Sequence, residues 1–307
     1  MLEQAYRISR LLSSAVYPDR HHVDGGLPLY VIENPLGRMV ICEQGAQVLS
    51  FIPAGKKDLL WLSPLADFCL GKPVRGGIPI CLPWFGVDSR NKDNPNHGFA
   101  RNINWQLANI TDADDAQQGA CTRIEFVLDQ FQQQPHALFP YPFSAKLTFL
   151  MSDSLSIHLQ ISNTGSETIP LTWALHSYHP IADIASAGIS GLDGCEYLDN
   201  ASELKRGIQN GDVVFNGEVD SIYINAGKTQ NISSESQDSD AITITANGCA
   251  SAVVWNPGAE KAALLKTVGI ENFKKFVCLE RGNVFDNEIM LLPNATHSAS
   301  LQIKLLS

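Results

Sequence analysis

The chain of 307 residues is poor in charge. Only 18% of its residues are charged, against ~25% in typical globular chains, while 44% are hydrophobic. That balance excludes a disordered chain, which needs low hydrophobicity and high net charge. Cations are the scarcer sign: 22 Lys and Arg against 32 Asp and Glu leave a net charge of −10. A nucleic-acid or anionic-membrane surface is therefore not expected. No apolar run approaches the ~18 residues that span a bilayer. The opening MLEQAYRISRLLSS carries Glu3 and lacks a continuous apolar stretch, so it does not read as a signal peptide. Seven cysteines stand at 42, 69, 81, 121, 195, 249 and 278, with no CxxC among them. Reduced thiols in a cytoplasmic protein are the expectation. Equally missing are H-E-x-x-H, a G-x-S-x-G elbow and a P-loop lysine after Gly76-Gly77.

Helical periodicity is also scarce. Its best case is the first dozen residues, where Tyr6, Ile8, Leu11 and Leu12 line one side of an expected short helix. Strand alternation is abundant instead. Leu155, Ile157, Leu159 and Ile161 share one face of an eight-residue alternating run. Thr122–Leu128, Ala241–Thr245 and Leu301–Leu305 repeat the pattern, with turn residues such as Asn210-Gly211 and Asn256-Pro-Gly between strands. Strands with one polar face belong to antiparallel sheets with one side wet. No βαβ rhythm, internal repeat or linker divides the chain, and the polar patches at 112–118 and 233–240 read as solvated loops. The expected architecture is all-β: residues 25–307 as one large antiparallel β-sandwich with few short helices, preceded by a short extension over 1–24.

Residues 72–86 hold three prolines and three glycines, which forbids a regular helix or strand. Such a path either turns a sheet corner or lines a pocket. From 72 to 101, Lys72, Arg75, Arg90, Lys92 and Arg101 face only Asp88 and Asp93, an island of +3 in an acidic chain. That points to a bound anion, and the planar fork of arginine suits phosphate. His176 and His179 lie in a strand-like run, where odd spacing sends their rings to opposite faces, so a shared metal is not expected. His176 alone fits a hydrogen-bonded rim residue or a catalytic one. His97, between Asn96 and Gly98, reads as a turn residue. Glu280 ends an apolar strand before Gly282, which suits either a general base in a cleft or a rim ion pair.

Six segments then carry a resemblance in chain order. They are Arg75-Gly-Gly-Ile-Pro with Pro83-Trp-Phe-Gly86, His97-Gly-Phe-Ala-Arg-Asn102, Leu175-His-Ser-Tyr, Asp220-Ser-Ile-Tyr, Val254-Trp-Asn-Pro257 and Cys278-Leu-Glu-Arg-Gly282. Together they resemble the aldose 1-epimerase (galactose mutarotase-like) superfamily over about residues 25–305, and most closely its hexose-6-phosphate mutarotase branch. The resemblance implies a large β-sandwich with an open groove on one sheet. It implies His176 and Glu280 as catalytic residues, and Arg75 and Arg101 as phosphate-holding arginines. It further implies Asp220 as a sugar contact, with His97 and Trp255 beside the substrate. Asn96 stands where some relatives carry a substrate-binding glutamine. Arg281 replaces a proline often found there, and on a strand it points away from Glu280. The implied activity is anomer interconversion of a hexose 6-phosphate, glucose 6-phosphate foremost, by a monomer without cofactor or metal. The rival readings are a non-catalytic sugar-phosphate module and a glycoside hydrolase pairing Glu280 with Asp220.

Overall fold

The computed structural model describes residues 6–234 and 241–306. Two large antiparallel sheets dominate it. The nine-stranded sheet runs in the order Val213–Val214, Ala187–Ser190, Thr229–Ser234, Ile242–Asn247, Thr296–Leu305, Leu155–Asn163, Phe143–Met151, Gly119–Leu128, Gln106–Asp115. The eight-stranded sheet orders Lys205–Ile208, Glu196–Asp199, Val219–Tyr223, Ser251–Asn256, Phe276–Asn283, Trp173–Leu175 and Ile80–Cys81, with Tyr178–Pro180 also paired to Phe276–Asn283. Leu155, Ile157, Leu159 and Ile161 share one buried cluster with Ala252, Val254, Val277 and Leu279 of the other sheet, so the two sheets pack face to face. His158 and Gln160 point to solvent, as the alternation requires. The β-sandwich expected from strand periodicity is therefore present. No helix among the described residues is long and apolar enough to cross a membrane.

Two local expectations fail. Arg7–Leu12 is a strand, not a helix, and pairs antiparallel with Pro28–Asn34 at the edge of a four-stranded sheet. Ile8, Leu11 and Leu12 stay more than a third exposed. With no surface to cover an apolar helical stripe, the unpaired sheet edge supplies the backbone partners instead. The acidic patch at 112–118 is a turn only over 116–118: Asp112 to Asp115 end the strand Gln106–Asp115, and the chain then turns into Gly119–Leu128. This is the last strand of its sheet, and charges there discourage pairing with another chain. Of the patch at 233–240, Ser233 and Ser234 end the strand Thr229–Ser234, and 235–240 lie outside the described residues.

The segment 72–86 is irregular except at Ile80–Cys81, a two-residue strand that the neighbouring Trp173–Leu175 pairs against expectation, and it is threaded through positions without room for a side chain. A Cβ on Gly77 would lie 2.1 Å from the Val48 carbonyl oxygen, and one on Gly98 would lie 2.0 Å from that of Leu82. Both glycines also have positive φ. The close approach brings Pro79 and Pro83 to Gly86 against the outer face of the eight-stranded sheet, where they line a groove.

The pleat of Phe276–Asn283 assigns each residue to a side. Val277 and Leu279 enter the core between the sheets, whereas Cys278 belongs to a separate aromatic cluster on the other face. Arg281 is fully buried and donates to the carbonyls of Ser251, Gly227 and Cys249 and to Gln230 Oε1. Burial lowers its pKa, but its hydrogen bonds go to neutral acceptors. Truncation would leave several buried acceptors without donors, at roughly 1–3 kcal/mol each before relaxation. Arg281→Ala should therefore lose about 3 kcal/mol or more in denaturant unfolding, with Arg281→Lys between it and the parent. An unchanged midpoint for Arg281→Ala would remove this residue from the structural core.

Candidate active site

The groove on the outer face of the eight-stranded sheet encloses about 800 Å³. All eight residues singled out from the sequence line it: Arg75, Asn96, His97, Arg101, His176, Asp220, Trp255 and Glu280. Sheet register brings the last three together. Asp220 opposes Trp255, Trp255 opposes Cys278, and Val253 opposes Glu280. His176 sits where the sheet breaks between Trp173–Leu175 and Tyr178–Pro180. Its backbone N–H donates to the Pro79 carbonyl at 2.9 Å, and the Ser177 hydroxyl donates to the Leu279 carbonyl at 2.7 Å. The break is thereby anchored on both sides.

His176 Nδ1 stands 3.3 Å from Glu280 Oε1 without the alignment of a hydrogen bond, and Glu280 Oε2 has no partner. The His176 ring lies parallel to Tyr178, 4.8 Å between centroids, and edge-on to Trp255 at 5.9 Å. Burial pushes the Glu280 carboxyl well above its ordinary pKa, helped by Asp220 and opposed by Arg101. Burial likewise holds His176 well below its ordinary value, reinforced by His97, Arg101 and Arg75. Both groups are thus driven toward their neutral forms. His97 is also held down by burial and the two arginines; its Nδ1 accepts the Gly86 N–H at 3.2 Å. It is a turn residue with φ +65° and a groove residue at once.

The cationic island resolves into parts. Lys72 and Lys92 are exposed and outside the groove. Arg90 is committed to Asp88 through two hydrogen bonds of 2.8–2.9 Å. Arg75 and Arg101 have only neutral hydrogen-bond partners. Arg75 donates to the Tyr178 hydroxyl at 2.9 Å, and Arg101 donates to the Asn96 carbonyl at 2.8 Å while its Nε is buried without a partner. Buried polar atoms are almost always satisfied, so unpartnered atoms of Arg101, His176 and Glu280 around one cavity mark a place for a ligand. Asp220 accepts from Asn200 Nδ2 at 2.8 Å, and burial raises its pKa.

His179 does not join the site. It is buried on the other side of the strand, its Nδ1 meets the Leu59 carbonyl at 3.1 Å, and burial lowers its pKa to about 4. Sequence reasoning missed Tyr178, which links Arg75 to His176. Its place two residues after His176 in an extended run was a usable sign. Asn200 gave no sign, because its role depends on which loop reaches Asp220. Cys278 was also missed, although its Sγ lies within 4.8 Å of ligand atoms of both His176 and Glu280.

A buried carboxyl–imidazole pair thus faces a groove on the outer face of a β-sandwich. The family model for aldose 1-epimerase matches residues 28–304, and the chain belongs to that family. It is 31% identical over 275 residues to a protein from Escherichia coli (strain K12) named "Putative glucose-6-phosphate 1-epimerase", covering 89% of each. A protein of the same name from Cenchrus ciliaris is 33% identical over 255 residues, covering 81% of this chain and 75% of that one. The crystal structure titled as a "putative mutarotase" from Salmonella typhimurium superposes with a TM-score of 0.82 at 28% identity, over 92% of this chain and 91% of that chain. A galactose mutarotase-like protein from Clostridium acetobutylicum shares the fold, with a TM-score of 0.72 at 15% identity over 99% of both. The chain is thus a sugar epimerase of the mutarotase type.

Replacing Glu280 by a group that cannot ionise tests its burial. In the unfolded chain this carboxyl titrates near ~4.3. Its folded value is higher, so stability falls as pH rises from ~4.3 through the folded value and is constant above it. Glu280→Gln escapes that fall. Its melting temperature should therefore gain on the parent between pH 4 and pH 8, read by thermal unfolding of both proteins. A difference that does not change with pH would show an ordinary carboxylate.

Proposed function

We propose that the protein interconverts the α and β anomers of a hexose 6-phosphate, glucose 6-phosphate foremost, by acid–base ring opening and reclosure. The observation that carries this reading is the unpartnered Glu280–His176 pair in a groove that also holds two arginines with only neutral hydrogen-bond partners. Anomer exchange removes a proton from the C1 hydroxyl and adds one to the ring oxygen. Glu280 as carboxylate takes the first, and His176 as imidazolium gives the second. The open aldehyde turns about C1–C2, and the steps reverse on the other face. The reaction involves neither redox chemistry nor hydrolysis, so acid and base suffice.

The local electrostatics support these roles. Each ring opening converts carboxylate plus imidazolium into carboxyl plus imidazole, and each closure reverses it. In water the charged arrangement is favoured by the gap between ~4.3 and ~6.5, about 3 kcal/mol. Raising Glu280 and lowering His176 works against that preference and so favours the proton transfers of ring opening. His176→Ala and Glu280→Gln should each lose at least ~10²-fold in kcat. The double variant should be little worse than either one, because each alone stops a coupled transfer. Near-normal turnover in either folded single variant would sink the assignment. The pH profile of kcat/KM on an unphosphorylated hexose should be bell-shaped, its acid limb lying below ~6.5 because His176 is held down. An acid limb at or above that value would contradict the role of burial.

Arg75 and Arg101 are suited to hold the 6-phosphate. A charged hydrogen-bonded contact of this kind is worth ~1.5–3 kcal/mol. Arg101→Ala should then lower kcat/KM on glucose 6-phosphate about ten- to a hundredfold and barely alter exchange of glucose, as read by magnetisation-transfer NMR on both sugars. An equal fall on both would make Arg101 a support for its loop and not a reader of phosphate.

A further inference from the structure

Cys278 packs among Trp61, Tyr178, Trp255 and Phe276, yet it also borders the acid–base pair. Its Sγ, a ring nitrogen of His176 and a carboxylate oxygen of Glu280 all lie within 4.8 Å of one another, and the three residues are buried. The strand pleat causes this. Cys278 and Glu280 are two apart on Phe276–Asn283, hence on one face, and Tyr178 opposes Cys278 across the ladder beside His176. We propose that Cys278, His176 and Glu280 form a binding site for a zinc-type divalent cation, whose occupation withdraws both catalytic groups and inhibits the enzyme.

The inhibitory part rests on the acid–base reading above; the binding part does not. One sulfur, one imidazole nitrogen and one carboxylate oxygen are a donor set for zinc, whereas magnesium and calcium favour oxygen alone. With bonds of ~2.0–2.3 Å, tetrahedral zinc spaces its ligand atoms roughly 3.5 Å apart. His176 Nδ1 and Glu280 Oε1 already stand 3.3 Å apart. The thiol sulfur lies within 4.8 Å of the other two ligand atoms, so it needs to close by at most about 1.3 Å. Three protein ligands leave a fourth position for water.

The test uses the full-length protein with cobalt(II) as the spectroscopic probe and zinc as competitor. Cobalt should produce a near-ultraviolet thiolate-to-metal absorption that saturates at one equivalent, is displaced by zinc and is missing from Cys278→Ser. No such band on the parent protein, or a band that survives Cys278→Ser, overturns the site without requiring any variant to be active. Zinc should slow glucose 6-phosphate exchange in competition with the sugar, magnesium should not, and a chelator should restore the rate. The zinc sensitivity of Cys278→Ser is read relative to its own metal-free rate, and that of the parent likewise. Loss of an outer-shell partner already costs 10–100-fold in metal affinity, so loss of this direct ligand should cut zinc sensitivity at least about tenfold. Equal zinc inhibition of both proteins overturns the proposal. A Cys278-dependent cobalt band on a protein that does not accelerate exchange would leave the metal site standing and reject the acid–base reading instead.

Discussion

Glu280 and His176 are two ionisable groups held 3.3 Å apart in a floor from which burial has removed their hydration. Water would keep this pair as carboxylate and imidazolium. The floor opposes both charges, and much of the surrounding structure serves to keep it dry and rigid. Trp61 stacks on Phe276 at 4.2 Å, Tyr178 lies flat against His176, and Trp255 closes the side. Beneath them the eight-stranded sheet is backed by the apolar face of the nine-stranded one, so the strands that present the pair have little freedom to relax. Proton transfer within such a pair needs no rearrangement of solvent, which is the electrostatic advantage of a preformed site.

Adjacent residues on one strand show two ways of burying ionisable groups. Arg281 turns inward and is surrounded by carbonyl acceptors, which keep a guanidinium solvated by protein dipoles. Glu280 turns outward and is denied comparable donors, so its second oxygen waits for a ligand. A saturated group anchors the sheet, and an unsaturated one provides chemistry. The same contrast separates the arginines of the groove. Arg90 is occupied by Asp88 and lies over Trp84 and Phe139, whereas Arg75 and Arg101 keep only neutral partners. A net charge counted along the sequence could not distinguish them, because ion pairing is decided by side-chain geometry.

Tyr178 connects the two halves of the site. Its hydroxyl accepts from Arg75, and its ring supports His176. A substrate that engages the arginine would therefore press on the residue that orients the imidazole. The same compactness places Cys278 against the reacting pair, so that apolar packing and metal-ligand chemistry share one side chain.

Strand alternation at Leu155–Asn163 and Thr296–Leu305 was legible in the sequence because a pleat imposes a period of two wherever one face is buried. The path of 72–86 was legible in most of its length, since proline and glycine disfavour regular structure locally, but Ile80–Cys81 within it pairs as a short strand with Trp173–Leu175. What depends on partners was not. Arg7–Leu12 became a strand because a sheet edge stood open beside it, and the acidic run at 112–115 did so because it lies at the other sheet's margin. The eight groove residues were distributed from 75 to 280; strand register brought Asp220, Trp255 and Glu280 together, and loops folded over the sheet brought the other five. The sequence by itself determined the fold class and that Glu280 and Arg281 point to opposite sides of their strand, because both follow from local periodicity. Only the tertiary structure decided which charges remain unpaired, which are driven neutral, and that Cys278 adjoins them. Burial and long-range proximity are properties of the packed sheets and leave no mark on the spacing of residues.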